Sequence, residues 1–224
     1  MAREAARIDI AFDAAKAKLI AYIRERYKDV FDASHLEQVL TGLADELVNE
    51  DAIDEAASAG VDAVPDLEGV TKPSTTNVVQ IWVGKVKKYA KKFPDRMAAE
   101  ISQTAYDAER EANAAEMSDE DRMAHVIAAI DAKAETFRSE AQLYSEPPWG
   151  AGNQAYGTAL DAADVLMDWV TVDDPCDICS DIEDGNPYTL ESLPMWPGDT
   201  HPNCRCHVTP DDASWQQIFG DAAA

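Results

Sequence analysis

The stretch "RIDIAFDAAKAKLIAY", Arg7 to Tyr22, decides the class of the fold. Its apolar residues Ile8, Phe12, Ala15, Leu19 and Tyr22 recur at alternating steps of four and three, which aligns them on one face of a helix. Such a face needs a partner. The next segment supplies one, because Leu36, Leu40, Leu43 and Leu47 repeat the same steps and Ser34 with Glu37 has the S-x-x-E spacing of a capping box. The two read as an antiparallel helical pair.

Beyond them, "ASAGVDAVPDLEGVTKPS", about residues 57–74, concentrates Gly and Pro and reads as a loop or hinge. A third helix is predicted from Thr76, with Val79, Trp82, Val86, Tyr89 and Phe93 inward, ending where Pro94 lacks a backbone donor. Pro94 suits the first turn of a fourth helix that turns Met97, Ile101 and Ala105 inward. A fifth starts at Ser118, whose side chain can cap the turn, and carries Met123, Val126, Ile130 and Phe137. From Glu146 the texture changes to "EPPWGAGNQAYG", where Trp149 reads as a packing anchor in a loop. One more helix is predicted from about Asn153 to Trp169. The expected division is a helical region over 1–147 and a small C-terminal module over 148–224.

Acidic residues number 43 against 19 basic, a net charge of −24, and 46% of the chain is hydrophobic. That is enough apolar material for a core. The charge makes the surface as a whole a poor binder of nucleic acid and suits solubility in concentrated salt, as in a halophilic host. No run of about 18 apolar residues exists, so no membrane-spanning helix is expected. The N-terminal segment mixes charge into its apolar positions, unlike a signal peptide, which places assembly in the cytoplasm, where thiols stay reduced.

The chain has four cysteines and four histidines, and "THPNCRCHVTP", Thr200 to Pro210, holds two of each. Cys176 and Cys179 form C-x-x-C upstream. A tetrahedral structural Zn²⁺ takes four ligands. Cys176, Cys179, His201 and Cys204 would make a Cys₃His site from two matching knuckles, and Cys206 in place of His201 would make a Cys₄ site. The spacing admits both, against a cluster packed without metal or linked by disulfides. The segment between the knuckles is turn-forming, with three prolines and two glycines, so a metal would supply stability that its own side chains do not. Five candidate ligands for four positions leave no coordination site open for catalytic water, and no nucleophile, base and orienting partner assemble from the motifs. The expected fold class is mainly α, with a small irregular α+β C-terminal module clipped by zinc, and the expected activity is not enzymatic.

Taken together, "WVTVDDPCDICSDIEDG" (Trp169 to Gly185) and "THPNCRCHVTP" resemble the C-terminal signature of the phage Mu F-like minor head proteins, the head morphogenesis proteins of tailed viruses. Trp169, Asp173, Cys176, Cys179, Gly185, His201, Pro202, Asn203, Cys204, Arg205 and Cys206 fall where that pattern asks. Upstream, "FRSEAQLYSEPPWGAGNQAYG" is similar to the family's Arg-Thr-Glu segment, with Ser139 where Thr is usual. The resemblance covers roughly residues 138–211. It implies a minor capsid protein of the virion, in the head interior or at the portal vertex, with the portal protein or the major capsid protein as partner and a role in head assembly or genome packaging and delivery.

A further partner is suggested by the sole basic cluster, "GKVKKYAKKFPDR", which places Lys85, Lys88 and Lys92 on one helical face. Weak contact with DNA phosphates, docking onto an acidic portal or capsid subunit, and a plain solvated face are the readings of it. The alternative function is a cellular zinc-knuckle adaptor or regulator. A knuckle that binds nucleic acid wants basic and aromatic residues between its ligands; this one offers Asp177, Asp181, Glu183, Asp184, Glu191 and Asp199.

Overall fold

The computed structural model describes residues 2–172, 175–200 and 204–220. In chain order the helices are α1 (Ala2–Glu25), α2 (Ala33–Val39), α3 (Leu43–Leu47), α4 (Glu50–Asp62), α5 (Thr76–Ala90), α6 (Phe93–Ala114), α7 (Asp119–Thr136), α8 (Arg138–Gln142) and α9 (Pro147–Ala162). Strand β1 (Met167–Val170), helix α10 (Asp177–Glu183), strand β2 (His207–Pro210) and helix α11 (Asp212–Phe219) follow. The protein is mainly α, with a two-stranded sheet near its C-terminal end.

The chain forms two compact units, and neither is continuous. One comprises Met1–Val48 and Lys85–Ser145, the other Asn49–Gly84 and Glu146–Ala224. The contiguous division at Pro148 is thereby corrected: the second junction falls close to it, but Asn49–Gly84 belongs with the C-terminal part. The loop or hinge expected over 57–74 is corrected in its first part only: 63–75 is non-helical as expected, but 57–62 is helix. Helix α4 continues to Asp62, because Asn49 caps it through Ala52 N–H and Ile53, Ala57 and Val61 supply a buried face.

In the first unit, α1 buries Ile8, Phe12, Ala15, Leu19 and Ile23, so Ile23 takes the place expected for the partly buried Tyr22. Around them close Leu36, Leu40, Leu43 and Leu47, then Phe93, Met97, Ile101 and Ala105 of α6 and Val126, Ile130 and Phe137 of the α7 segment. The cap of α2 is Asp32, not Ser34: its carboxylate accepts the Ser34 N–H at 2.9 Å and the Ser34 hydroxyl at 2.7 Å. An aspartate one residue before the helix reaches the free N–H groups that Ser34, already inside the first turn, cannot. Ser118 caps α7 as its sequence predicts, accepting from Asp121 N–H.

Pro94 sits in the first turn of α6. On α5 the buried line runs through Val78, Trp82, Val86 and Ala90, and Tyr89 lies at its edge, 62% exposed, not inward as expected. The Arg-Ser-Glu segment at the start of α8 has a structural role. Arg138 joins Asp9 and Asp13 of α1 and Glu135 of α7, and Arg96 of α6 pairs with Glu140.

In the second unit, α4 lies against α9 at backbone contact. A Cβ on Gly60 would stand 2.4 Å from the Gly152 carbonyl oxygen, and one on Gly150 would stand 2.2 Å from the Trp82 ring. Helix α9 therefore starts at Pro147, its proline in the first turn and its glycines used for close approach, where the sequence reads as a loop around Trp149. It ends at Ala162, and Trp169, expected at the end of that helix, lies in β1. The strands pair antiparallel with Trp169 opposite Val208 and Val170 opposite His207.

Candidate metal centre

The two halves of the cysteine constellation are brought together by different elements of the second unit. Cys176 is the residue that precedes α10, in extended conformation, and Cys179 is in that helix's first turn. Cys204 and Cys206 occupy alternate positions of the chain entering β2 and are both buried, while Arg205 between them is partly exposed. The sulfurs of Cys179, Cys204 and Cys206 lie within 4.8 Å of one another. Cys176, half-buried, is hydrogen-bonded to Cys179 and packs against the same cluster. All four cysteines are free thiols. Sequence spacing set Cys204 and Cys206 in competition with His201; both join Cys179 in the cluster. His201, Pro202, Asn203 and Asp173 lie outside the described residues.

A small core surrounds the sulfurs. Trp169, Ile182 and Val208 are buried with them, and Tyr156, Tyr188, Leu193, Met195 and Trp196 close the periphery. Polar side chains then fix the backbone on both sides. Asn186 reaches across to Trp169, accepting its N–H at 2.7 Å and donating to its carbonyl at 2.8 Å, so one amide does the work of a neighbouring strand. Glu183 accepts from Thr171 N–H at 3.0 Å and Thr171 hydroxyl at 2.7 Å. The indole N–H of Trp149 donates to the Cys206 carbonyl at 3.1 Å. Asn153, itself buried, accepts the Val208 N–H at 3.0 Å and donates to the Trp149 carbonyl at 2.9 Å. Arg205 pairs at 3.5 Å with Glu146, whose side chain is 10% exposed.

Sequence reasoning missed Asn153, Asn186 and the Arg205 to Glu146 pair. The one available signal was Trp149, singled out as an anchor but placed in a loop.

The electrostatics describe a pocket that resists negative charge. Burial, followed by hydrogen bonds to Cys206 and Cys176, pushes the Cys179 thiol well above its ordinary range, and burial likewise raises Cys206. Burial acts on Cys204 too, but the Thr200 hydroxyl and the backbone N–H groups of Gly198 and Cys206 outweigh it and hold that thiol below its ordinary value. A dry site can carry one thiolate on such donors, and a second and third require a cation beside them. Three convergent buried sulfurs with a fourth at the edge are thus a donor set that can hold a metal ion.

Comparison of the chain with family models, with curated proteins and with solved structures finds no match in any of the three. No helix among the described residues is long and apolar enough to cross a membrane.

Proposed function

We propose that this chain is a structural, non-enzymatic minor head protein of a tailed virus, acting at the portal vertex or head interior in assembly or genome delivery. The observation that carries the reading is the ordered signature Trp169, Cys176, Cys179, Gly185, Cys204, Arg205 and Cys206, together with the convergence of Trp169 and three of its cysteines in one buried cluster. Residues that matter only as a set should meet, and the meeting of Trp169 with the cysteines supports the reading. Gly185 fits the same view, since a Cβ there would stand 2.1 Å from the Tyr188 hydroxyl, which donates to the Ile182 carbonyl at 2.6 Å.

The metal in this proposal is Zn²⁺, held by Cys176, Cys179, Cys204 and Cys206. Zinc–thiolate bonds of ~2.3 Å give a tetrahedron with edges of about 3.8 Å, and the 4.8 Å envelope of the three buried sulfurs accommodates that after a small contraction. When bound, zinc would supply a cross-link between α10 and the chain entering β2. The protein's own groups hold that chain in place: Trp149 and Asn153 from α9, Asn186 from the loop after α10.

Two measurements test the reading in separate layers. Elemental analysis of protein never exposed to chelator should find about one zinc per chain, retained in His201→Ala and lost in Cys206→Ser; less than about half an equivalent would remove the zinc clip. Co-sedimentation should place the protein with portal-containing particles, and its absence from intact heads would overturn the head-protein assignment.

A further inference from the structure

Two tryptophans of the second unit place the indole N–H on an acceptor: Trp82 donates to the Gln154 side chain at 2.8 Å and Trp149 to the Cys206 carbonyl at 3.1 Å. Trp169 does not. It is fully buried, and its Nε1 is the one buried side-chain nitrogen or oxygen without a hydrogen-bond partner among the described residues of this unit. Both backbone groups of Trp169 are taken by Asn186, so the donor left over belongs to the side chain alone. A buried indole N–H normally finds an acceptor, and an orphaned one calls for a physical account.

The register of the sheet shows what lies on its side. Trp169 stands opposite Val208, and Cys206, two residues before Val208 and buried like it, shares that face as the diagonal neighbour of Trp169. In the core around the ring, Ile182 and Val208 offer only carbon, whereas Cys179, Cys204 and Cys206 offer sulfur. A neutral thiol is a weak acceptor, and a thiolate beside a cation is a strong one. Other donors already turn to these sulfurs: the Thr200 hydroxyl and the N–H groups of Gly198 and Cys206 to Cys204, and the Val172 N–H to Cys206. Four thiolates around one divalent ion keep a net negative charge, which a dry core must spread over such donors.

We infer that Trp169 is a positioning residue of the metal centre, its indole N–H donating to a cysteine thiolate of the cluster when a divalent metal holds the sulfurs. This role rests on the metal site proposed above and is independent of the head-protein reading. A tryptophan that only filled the core would need no donor there, and phenylalanine would serve as well. One that carries part of the thiolate charge is not replaceable in that way, because the ring without its N–H leaves the sulfur to the metal alone.

Nuclear magnetic resonance of the full chain, loaded with a spin-half cadmium isotope in place of zinc, tests it. The indole proton of Trp169, assigned through its contacts with Val208, should show a through-bond coupling to the cadmium, which a hydrogen bond to metal-bound sulfur transmits and mere packing does not. In cobalt-loaded protein, Trp169→Phe should move the thiolate-to-metal charge-transfer band to lower energy, since a sulfur without its donor gives up an electron more readily. The same variant should hold zinc ~10–100-fold less tightly in a chelator competition, at unchanged helicity. The coupling is read in the unmodified protein, so a variant that folds poorly leaves the test in force. Protein that binds about one metal per chain without indole coupling overturns the role of Trp169 and leaves the metal site standing, as does a folded Trp169→Phe whose band and retention both match the wild type. Protein that binds no metal overturns both.

Discussion

The second unit has its clearest test in a fragment cut where the sequence places the boundary, residues 148–224. That piece keeps every cysteine and loses Asn49–Gly84. The loss removes Ile53, Val61 and Val64, which are 1%, 6% and 3% exposed, together with Ala57 and Trp82. Burying each large aliphatic side chain stabilises by ~1.5–3 kcal/mol, so the three alone contribute about 5–9 kcal/mol, comparable with the whole net stability of a typical domain at ~5–15 kcal/mol.

Helix α9 bears most of that loss. It is 16 residues long and carries Gly150, Gly152 and Gly157, each costing ~1 kcal/mol against alanine in a helix interior. Without α4 it keeps only the apolar contacts of its other face, where Gly157 meets Met167 and Trp196 and Tyr156 packs at the cysteine core, and these do not offset them. Amide hydrogen exchange on the zinc-loaded fragment should show no protection between Trp149 and Ala162, and fusing residues 49–84 ahead of the fragment should restore it. Protection of α9 in the 148–224 fragment alone would refute the assignment of α4 to this unit.

Other expectations follow from single contacts. Gly60→Ala should destabilise by ~1–3 kcal/mol, because its Cβ meets backbone and no rotamer avoids it, whereas Gly84→Ala, with nothing within 4 Å of its Cβ, should gain up to ~1 kcal/mol; denaturant titration of both reads the difference. Asn186→Ala leaves the N–H and carbonyl of the fully buried Trp169 without that partner. It should cost about 2–4 kcal/mol by the same titration, and it should weaken metal retention in a chelator competition. Glu135 is held down to about 2 by its hydrogen bonds to Arg138 and then Lys16. A depressed carboxylate contributes stability that is full above its unfolded pKa and lost as pH falls through the folded one. Acid unfolding should therefore steepen between the ordinary glutamate range and about pH 2, and Glu135→Gln should flatten the curve in that window.

Helices whose large apolar side chains recur at helical spacing were legible, as Ile8, Phe12, Ala15 and Leu19 of α1 and Met97, Ile101 and Ala105 of α6 show. Helix α4 and the first turns of α9, ahead of Asn153, were not, because what joins them is the absence of side chains: Gly60 against Gly152, Gly150 against Trp82. Small residues carry no apolar period and read as loop. The strands were hidden for another reason. Met167–Val170 is four residues long, too short for alternation to register, and half of its pairing is supplied by the side chain of Asn186 and by Tyr188, whose backbone exchanges hydrogen bonds with Met167 at 2.7 and 2.8 Å. The cysteines announced themselves by type and spacing. What holds them did not, since Trp149, Asn153 and Glu146 are ordinary residues until α9 carries them to the knuckle.

The discontinuous division of the chain has an optical consequence. All five tryptophans, at positions 82, 149, 169, 196 and 215, fall in the unit built from Asn49–Gly84 and Glu146–Ala224, and the other unit has only tyrosines for a chromophore. Excitation selective for indole therefore watches one half of this protein and is blind to the other. With Trp149 hydrogen-bonded to the backbone of Cys206 and Trp169 packed among the sulfurs, the emission of the unmodified protein follows the cysteine cluster without a label, while far-ultraviolet dichroism, dominated by helix, follows both units at once.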